Sequence, residues 1–330
     1  MIALSRRSFL GAALCAAALP LPLRAQSAAG YPNGRAIRLI VPYTPGGGTD
    51  SVARAIAAKI TGEAGWSVVV ENRPGAGGNI GLDYVAKTKP DGFMLGLGQT
   101  SNLAINPALM PKMPFDAAKD FAAVALIASL PVVLVVKANA RWNTLADLVK
   151  DARAAPGSIK QALAGSGTVG HLAGELLAYQ AKFEVLNVPY RGAAPALNDL
   201  LGENTDYMFA TPQAAQEMLK GKVLRPLAVT ARARLPILPD VPTVAESGFD
   251  GFEALDWKAL VAPAGTPQDV IQAVNGVVEK VLADPATIAL FTAEGSTAMG
   301  GTPDAAQQYI LQEQKKWARL IREANIQTAA

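Results

Sequence analysis

The chain has 330 residues, 50% of them hydrophobic and 17% charged, with a formal net charge of +3. That is enough apolar chain for one large or two medium cores. The charge is modest and mixed in sign, with no basic block of the kind that marks nucleic-acid binding, so no nucleic-acid partner is expected. Few aromatics beside 30 glycines and 23 prolines suit many tight strand–helix turns better than an all-helical bundle.

The N-terminus carries Arg6-Arg7 ahead of an apolar run over 10–23, interrupted by Pro20 and Pro22. Leu23-Arg24-Ala25 then offers a small residue at a cleavage point. This pattern reads as a twin-arginine export signal over 1–25, removed on delivery to the periplasm. A membrane anchor is the alternative, but the run is short, Ala-rich and broken by proline, a poor span. A lipid anchor would use Cys15, yet Leu14 precedes it where a lipoprotein signal takes Gly or Ala. Cys15 is the only cysteine. The mature chain should therefore hold no disulfide, and its core must carry stability alone.

From about Gly30 onward, strand-like and helix-like segments alternate. A strand over 37–41 leads into the glycine-rich turn 42–48, and Thr49 or Asp50 can cap a helix over 51–61. A strand over 66–71, a loop over 72–79, a helix over 80–87 and the turn Pro90-Asp91-Gly92 lead to a strand over 93–98. Such alternation implies parallel pairing through right-handed crossovers. A second unit begins near Pro131. It reads as a strand over 132–137, a helix over 145–154 with Thr144 as its cap, a strand over 159–164 and a helix over 169–180. A strand over 185–189, a helix over 194–201 and strands over 207–210 and 224–230 follow. The chain turns apolar again over 259–261 and ends in amphipathic helices over 267–282 and 303–324. Those two helices need a surface to cover, and the first unit has few helices beyond its crossovers. The expected layout is therefore two α/β domains with two chain crossings, 31–130 with 251–330 and 131–250, suited to hinge closure.

Three turns stand where a strand end meets a helix start. Tyr43-Thr44-Pro45-Gly46-Gly47-Gly48-Thr49-Asp50 lets backbone N–H groups point inward, with a helix N-terminus behind them, and so can form an anion-binding nest. Gly98-Gln99-Thr100-Ser101-Asn102 sets polar side chains after an apolar strand. Gly165-Ser166-Gly167-Thr168-Val169-Gly170-His171 matches G-x-G-x-x-G, so dinucleotide binding must be weighed. The strand over 185–188, however, ends in Pro189-Tyr190-Arg191 rather than an acid. Capture of an anion by N–H groups and the Ser166 and Thr168 hydroxyls fits better. The first two turns can also be read as capped loops that bind nothing. His171 is the only histidine. It can contact ligand or satisfy a loop carbonyl. No G-x-S-x-G elbow is present, the aspartates do not pair at acid–base spacing, and His/Cys metal sites are excluded by count. No catalytic residue, metal or cofactor is expected.

Seven motifs in series resemble the periplasmic receptors of tripartite tricarboxylate transporters, the Bug-type receptors. They are Pro42 to Asp50, Glu71-Asn72-Arg73-Pro74-Gly75-Ala76-Gly77-Gly78-Asn79, Pro90-Asp91-Gly92, and Gly165 to His171 running into Leu172-Ala173-Gly174-Glu175. Then come Val188-Pro189-Tyr190-Arg191-Gly192, Leu238-Pro239-Asp240-Val241-Pro242-Thr243 and Ala262-Pro263-Ala264-Gly265-Thr266-Pro267. The resemblance implies an α/β, two-domain periplasmic-binding-protein (Venus-flytrap) fold, each domain a mixed sheet flanked by helices, with a small organic carboxylate in the cleft. It implies contacts from Tyr43, Pro45, Gly47, Thr49, Thr100 and Ser101 in the first domain and from Ser166, Thr168 and His171 in the second, with Thr211 facing them. Asp50 matches the position that caps the first helix. Ala210-Thr211 stands where similar receptors often carry an acid that could meet a ligand ammonium group, which makes an amino-acid ligand less secure. The expected partners are the carboxylate and the membrane subunits of a transporter, with the receptor itself a monomer. A periplasmic sensor docking on a signalling protein is the rival reading, and an exported enzyme the rival of another class.

Overall fold

The structure is a computed structural model that describes residues 30–110 and 112–327. The twin-arginine segment lies outside these residues. Among the described residues no helix is long and apolar enough to cross a membrane.

The chain opens with β1 (Ile37–Val41), whose apolar run is buried throughout except for Arg38. It continues through α1 (Gly48–Ala64), β2 (Val68–Asn72), α2 (Asn79–Ala86) and β3 (Met94–Gln99). A short helical stretch over Ser101–Ile105 runs into α3 (Asn106–Leu109). β4 (Phe121–Pro131) then passes almost directly into β5 (Val133–Lys137). Next come α4 (Leu145–Ala154), β6 (Lys160–Leu163), α5 (Val169–Ala181), β7 (Leu186–Pro189), α6 (Ala193–Leu201), β8 (Tyr207–Ala210), α7 (Pro212–Lys220) and β9 (Leu224–Val229). β10 (Leu255–Pro263), α8 (Gln268–Ala283), α9 (Pro285–Ala293), β11 (Thr297–Ala298) and α10 (Pro303–Glu323) complete the chain.

The strands form two sheets, ordered β11-β4-β10-β3-β1-β2 and β7-β6-β8-β5-β9. Parallel pairing, the expectation from the alternating pattern, holds only for β1 with β2 and β3 and for β6 with β7 and β8. β10 is antiparallel to both β3 and β4, and β5 is antiparallel to both β8 and β9. The physical reason is the connection: each of these strands arrives from the other sheet rather than through a helix crossover, so nothing forces it parallel. β10 brings the chain back into the first sheet, and α8 and α10 cover that sheet on opposite faces. Val274 and Val278 of α8 share a core with Leu260, whereas Trp317 and Ile310 of α10 share one with Trp257 and Ala259. Trp257 and Trp317 are fully buried, and both indole N–H groups donate to Glu313 Oε2, at 3.1 and 3.0 Å. A buried acid with two indole donors and Lys316 is thereby satisfied.

Local chemistry explains several boundaries. Thr144 caps α4, accepting from Asp147 N–H while the Asp147 carboxylate takes the Thr144 N–H, a reciprocal box worth about 1 kcal/mol. For α1 the expected cap is corrected. The cap position is Gly47, with no side-chain bond, and Thr49 and Asp50 sit inside the first turn. Asp50 instead reaches back to the Gly46 N–H at 2.9 Å, pinning the glycine turn from within.

Candidate functional site

A narrow cavity of about 130 Å³ lies between the two sheets. The first-sheet side contributes Gln99 at the end of β3, Ser101 just after it, and Asp256 from β10. Val132 lines it from the link between β4 and β5. The second-sheet side contributes Ala164, Thr168, Val169 and Gly170 around the start of α5, Ala193 at the start of α6, the β8 residues Met208 to Ala210, and Thr211.

Three helices of the second unit thus begin at this cavity. Thr168 caps α5, Gly192 precedes α6 without a side-chain cap, and Thr211 caps α7. The first N–H groups of a helix lack intrahelical partners and carry partial positive charge. Their convergence makes this wall a donor surface for an anion without any cationic side chain. The G-x-G-x-x-G pattern has a structural origin here. Gly165 and Gly167 adopt φ of +146° and +76°, and a Cβ on Gly170 would stand 2.4 Å from the Phe209 carbonyl. Gly170 therefore allows α5 to press against β8. β7 ends at Pro189 with no acid to hold a ribose, so the nucleotide alternative has no support.

The opposite wall is a hydrogen-bonded polar cluster. Thr49 Oγ1 donates to Gln99 Oε1 at 2.6 Å, and Gln99 Nε2 donates to Ser101 Oγ at 3.0 Å. Ser101 Oγ lies 3.5 Å from the Tyr43 hydroxyl, which also accepts from Asn102 Nδ2 at 3.0 Å. Burial pushes the Tyr43 phenol well above its ordinary range; Ser101 and Asn102 oppose this and nearby Asp256 adds to it. Tyr43 is therefore a neutral hydroxyl at any physiological pH.

Of the residues expected to form the site, Ser101, Thr168 and Thr211 line the cavity. Tyr43 and Thr49 stand behind Ser101 and Gln99 in the hydrogen-bond chain. Pro45 and Gly47 lie on the exposed glycine turn, and Ser166 is exposed on its own turn. Two of the expected residues are engaged with other parts of the chain. Thr100 is fully buried, and its hydroxyl accepts from Trp257 N–H at 2.9 Å and donates to the Leu255 carbonyl at 2.9 Å, tying β3 to β10. His171 is 4% exposed, and its Nδ1 accepts the Gly167 N–H at 3.2 Å while Nε2 faces Glu175 at 3.7 Å. The imidazole clamps the glycine turn through a backbone donor and does not line the cavity. Arg191 is exposed, and Arg73 stacks on the Tyr84 ring at 3.7 Å. Neither lines the cavity.

Asp256, which enters from β10, lines the cavity and belongs to none of the motifs. It is the only charged residue in the lining. The available sequence signal is the pair Asp256 and Lys258, two opposite charges at i and i+2 in an otherwise apolar strand, which the strand period puts on one face.

Two sheets joined by two chain crossings, with a cavity between them, make up the two-domain fold of the periplasmic binding proteins, and solved structures of that type share it. The chain belongs to the tripartite tricarboxylate transporter family of receptors, whose family model matches residues 52–326. It is 40% identical over 299 residues to the UPF0065 protein in the tcbD-tcbE intergenic region of Pseudomonas sp. (strain P51), covering 90% of this chain and 88% of that one. It superposes on R. palustris Rpa4515 with adipate at a TM-score of 0.81 and 34% identity, covering 91% of this chain and 100% of that one. It superposes on MatC (Rpa3494) from Rhodopseudomonas palustris with bound malate at 0.76 and 30% identity, covering 87% and 99%.

Proposed function

We propose that this protein is the periplasmic receptor of a tripartite tricarboxylate transporter and captures a small carboxylate in the cavity between its two sheets. The observation that carries the reading is the convergence of the α5, α6 and α7 N-termini on a cavity faced from the other sheet by Gln99 and Ser101. Three sets of helix N–H donors suit a carboxylate and leave a neutral molecule poorly matched. Adipate and malate in the two solved relatives are both carboxylates of the size class such a site takes.

The two lobes in this reading are 31–130 with 251–330 and 131–250. Ligand bridges them, and the closed receptor is what the membrane subunits recognise. Export would use the twin-arginine segment over 1–25, and the receptor would act as a monomer that leaves its ligand chemically unchanged. Mass spectrometry of whatever co-purifies with the protein, followed by calorimetric titration of that compound, tests the assignment. A carboxylate with micromolar or tighter affinity, recovered intact after incubation, is the expected result. A neutral or cationic ligand would overturn it.

A further inference from the structure

The cavity is electrically polarised. One wall presents the helix N-termini that begin at Thr168, Ala193 and Thr211, and the other presents the Asp256 carboxylate. Lys258 Nζ donates to Asp256 Oδ2 at 3.2 Å and is itself only 3% exposed. Oδ1 of Asp256 is buried and has no hydrogen-bond partner. Of the buried side-chain polar atoms without a hydrogen-bond partner among the described residues, only Asp256 Oδ1 belongs to a residue lining this cavity. A buried acceptor left without a donor is costly, so its presence beside a cavity points to a donor that arrives with the ligand. The other polar side chains on that wall are already engaged with one another. Gln99 Oε1 accepts from Thr49, and Gln99 Nε2 donates to Ser101.

We infer that Asp256 is a specificity-determining residue: it selects a carboxylate that also carries a hydroxyl or ammonium group, and receives that donor while the helix N-termini hold the carboxylate. This rests on the carboxylate-receptor reading above and narrows its ligand class. A donor-free dicarboxylate would place a second anion against Asp256, where like charges repel. An ammonium group matches the carboxylate in charge, and a hydroxyl matches it in hydrogen bonding alone.

The test is calorimetric titration of the purified protein with two matched trios: succinate, malate and aspartate, and adipate, 2-hydroxyadipate and 2-aminoadipate. Within the trio that fits, the donor-bearing member should bind at least about tenfold more tightly than the donor-free one, as a hydrogen bond to a charged group requires. An ammonium preference assigns charge pairing, and a hydroxyl preference assigns hydrogen bonding. Asp256→Asn alone strands a buried Lys258, which is destabilising, so it is measured beside Asp256→Asn/Lys258→Met, which removes both charges. Whichever variant folds should lose the preference, bringing the members of the trio within about threefold of one another. Equal or tighter binding of the donor-free member by wild type, or a preference that survives in the folded variant, overturns the inference and leaves the carboxylate reading standing. Failure of all six compounds to bind overturns the inference, and a neutral or cationic co-purifying ligand overturns the carboxylate reading as well.

Discussion

Thr230 and Val132 are bonded to each other through both backbone and side chain, at the point where the two crossing strands meet. Thr230 N–H donates to the Val132 carbonyl at 3.0 Å, and Val132 N–H donates to Thr230 Oγ1 at 2.9 Å. The Thr230 hydroxyl donates in turn to the Ala254 carbonyl at 2.6 Å, and Ala254 N–H donates to the Thr230 carbonyl. Thr230 is fully buried. One hydroxyl therefore laces the β4–β5 link to the stretch that enters β10. Thr230→Val keeps the shape and removes the hydroxyl, leaving the Val132 N–H buried without a partner. A loss of about 1–3 kcal/mol in unfolding free energy is expected by urea denaturation. An unchanged midpoint and slope would show that the lacing contributes nothing.

Gly167 sits where the two units approach. A Cβ there would stand 3.2 Å from Asn106 Oδ1 and 3.3 Å from Leu109 Cδ2, and φ is +76°. Gly167→Ala should cost about 1–2 kcal/mol of stability through its backbone conformation. It should also hold the units apart, weakening carboxylate binding by about tenfold and abolishing the fall in radius of gyration that closure on ligand would give in small-angle scattering. Wild-type affinity together with wild-type compaction would refute the role of this contact.

Neutral groups, not arginines, hold the carboxylate in this reading. Ser101→Ala removes a cavity hydroxyl and the acceptor for Gln99 Nε2, and should weaken binding severalfold, equivalent to about 0.5–1.5 kcal/mol. Exposed Arg191 is the control: Arg191→Ala should leave the dissociation constant unchanged. The opposite pattern, with Arg191→Ala abolishing binding in a folded protein, would place the carboxylate elsewhere.

Asp50 gives the fold an acid-sensitive point. The Arg54 guanidinium, with the Gly46 N–H and the Asn72 amide, holds its carboxyl at about 2 against an ordinary 3.8, with burial opposing. The folded value lies below the unfolded one. Its stabilisation is therefore complete above about pH 4 and is lost as pH falls through about 2. Melting temperatures followed from pH 6 down to pH 2 should fall less steeply over the last two units in Asp50→Asn than in wild type. Parallel curves would show that Asp50 is not what titrates.

Elements marked by local chemistry were legible in the sequence. β1 over 37–41 and α4 over 145–154 match to the residue, because an apolar run after a turn and a Thr-x-x-Asp box are local signals. β4 carries no such local signal. Its sequence, FAAVALIASLP, is apolar without alternation, and a run of that kind reads equally as helix or strand. α7 is likewise not legible in the sequence, although its cap, Thr211, is among the expected contacts.

By itself the sequence determined the turns, the Thr144 cap of α4 and the family, since each depends on backbone conformations and residue types within a few positions of one another. Tertiary structure decided which polar groups face the cavity, because a hydroxyl or carboxylate is freed or engaged by residues far along the chain. Thr100 and Ser101 are neighbours in the same polar turn. Yet Thr100 is bound to Leu255 and Trp257 across the sheet while Ser101 lines the cavity. Asp256 has no motif around it and acquires its place only because β10 returns to lie antiparallel between β3 and β4. Pairing across more than a hundred residues is set by which strands can bury one another, and no local pattern encodes that choice.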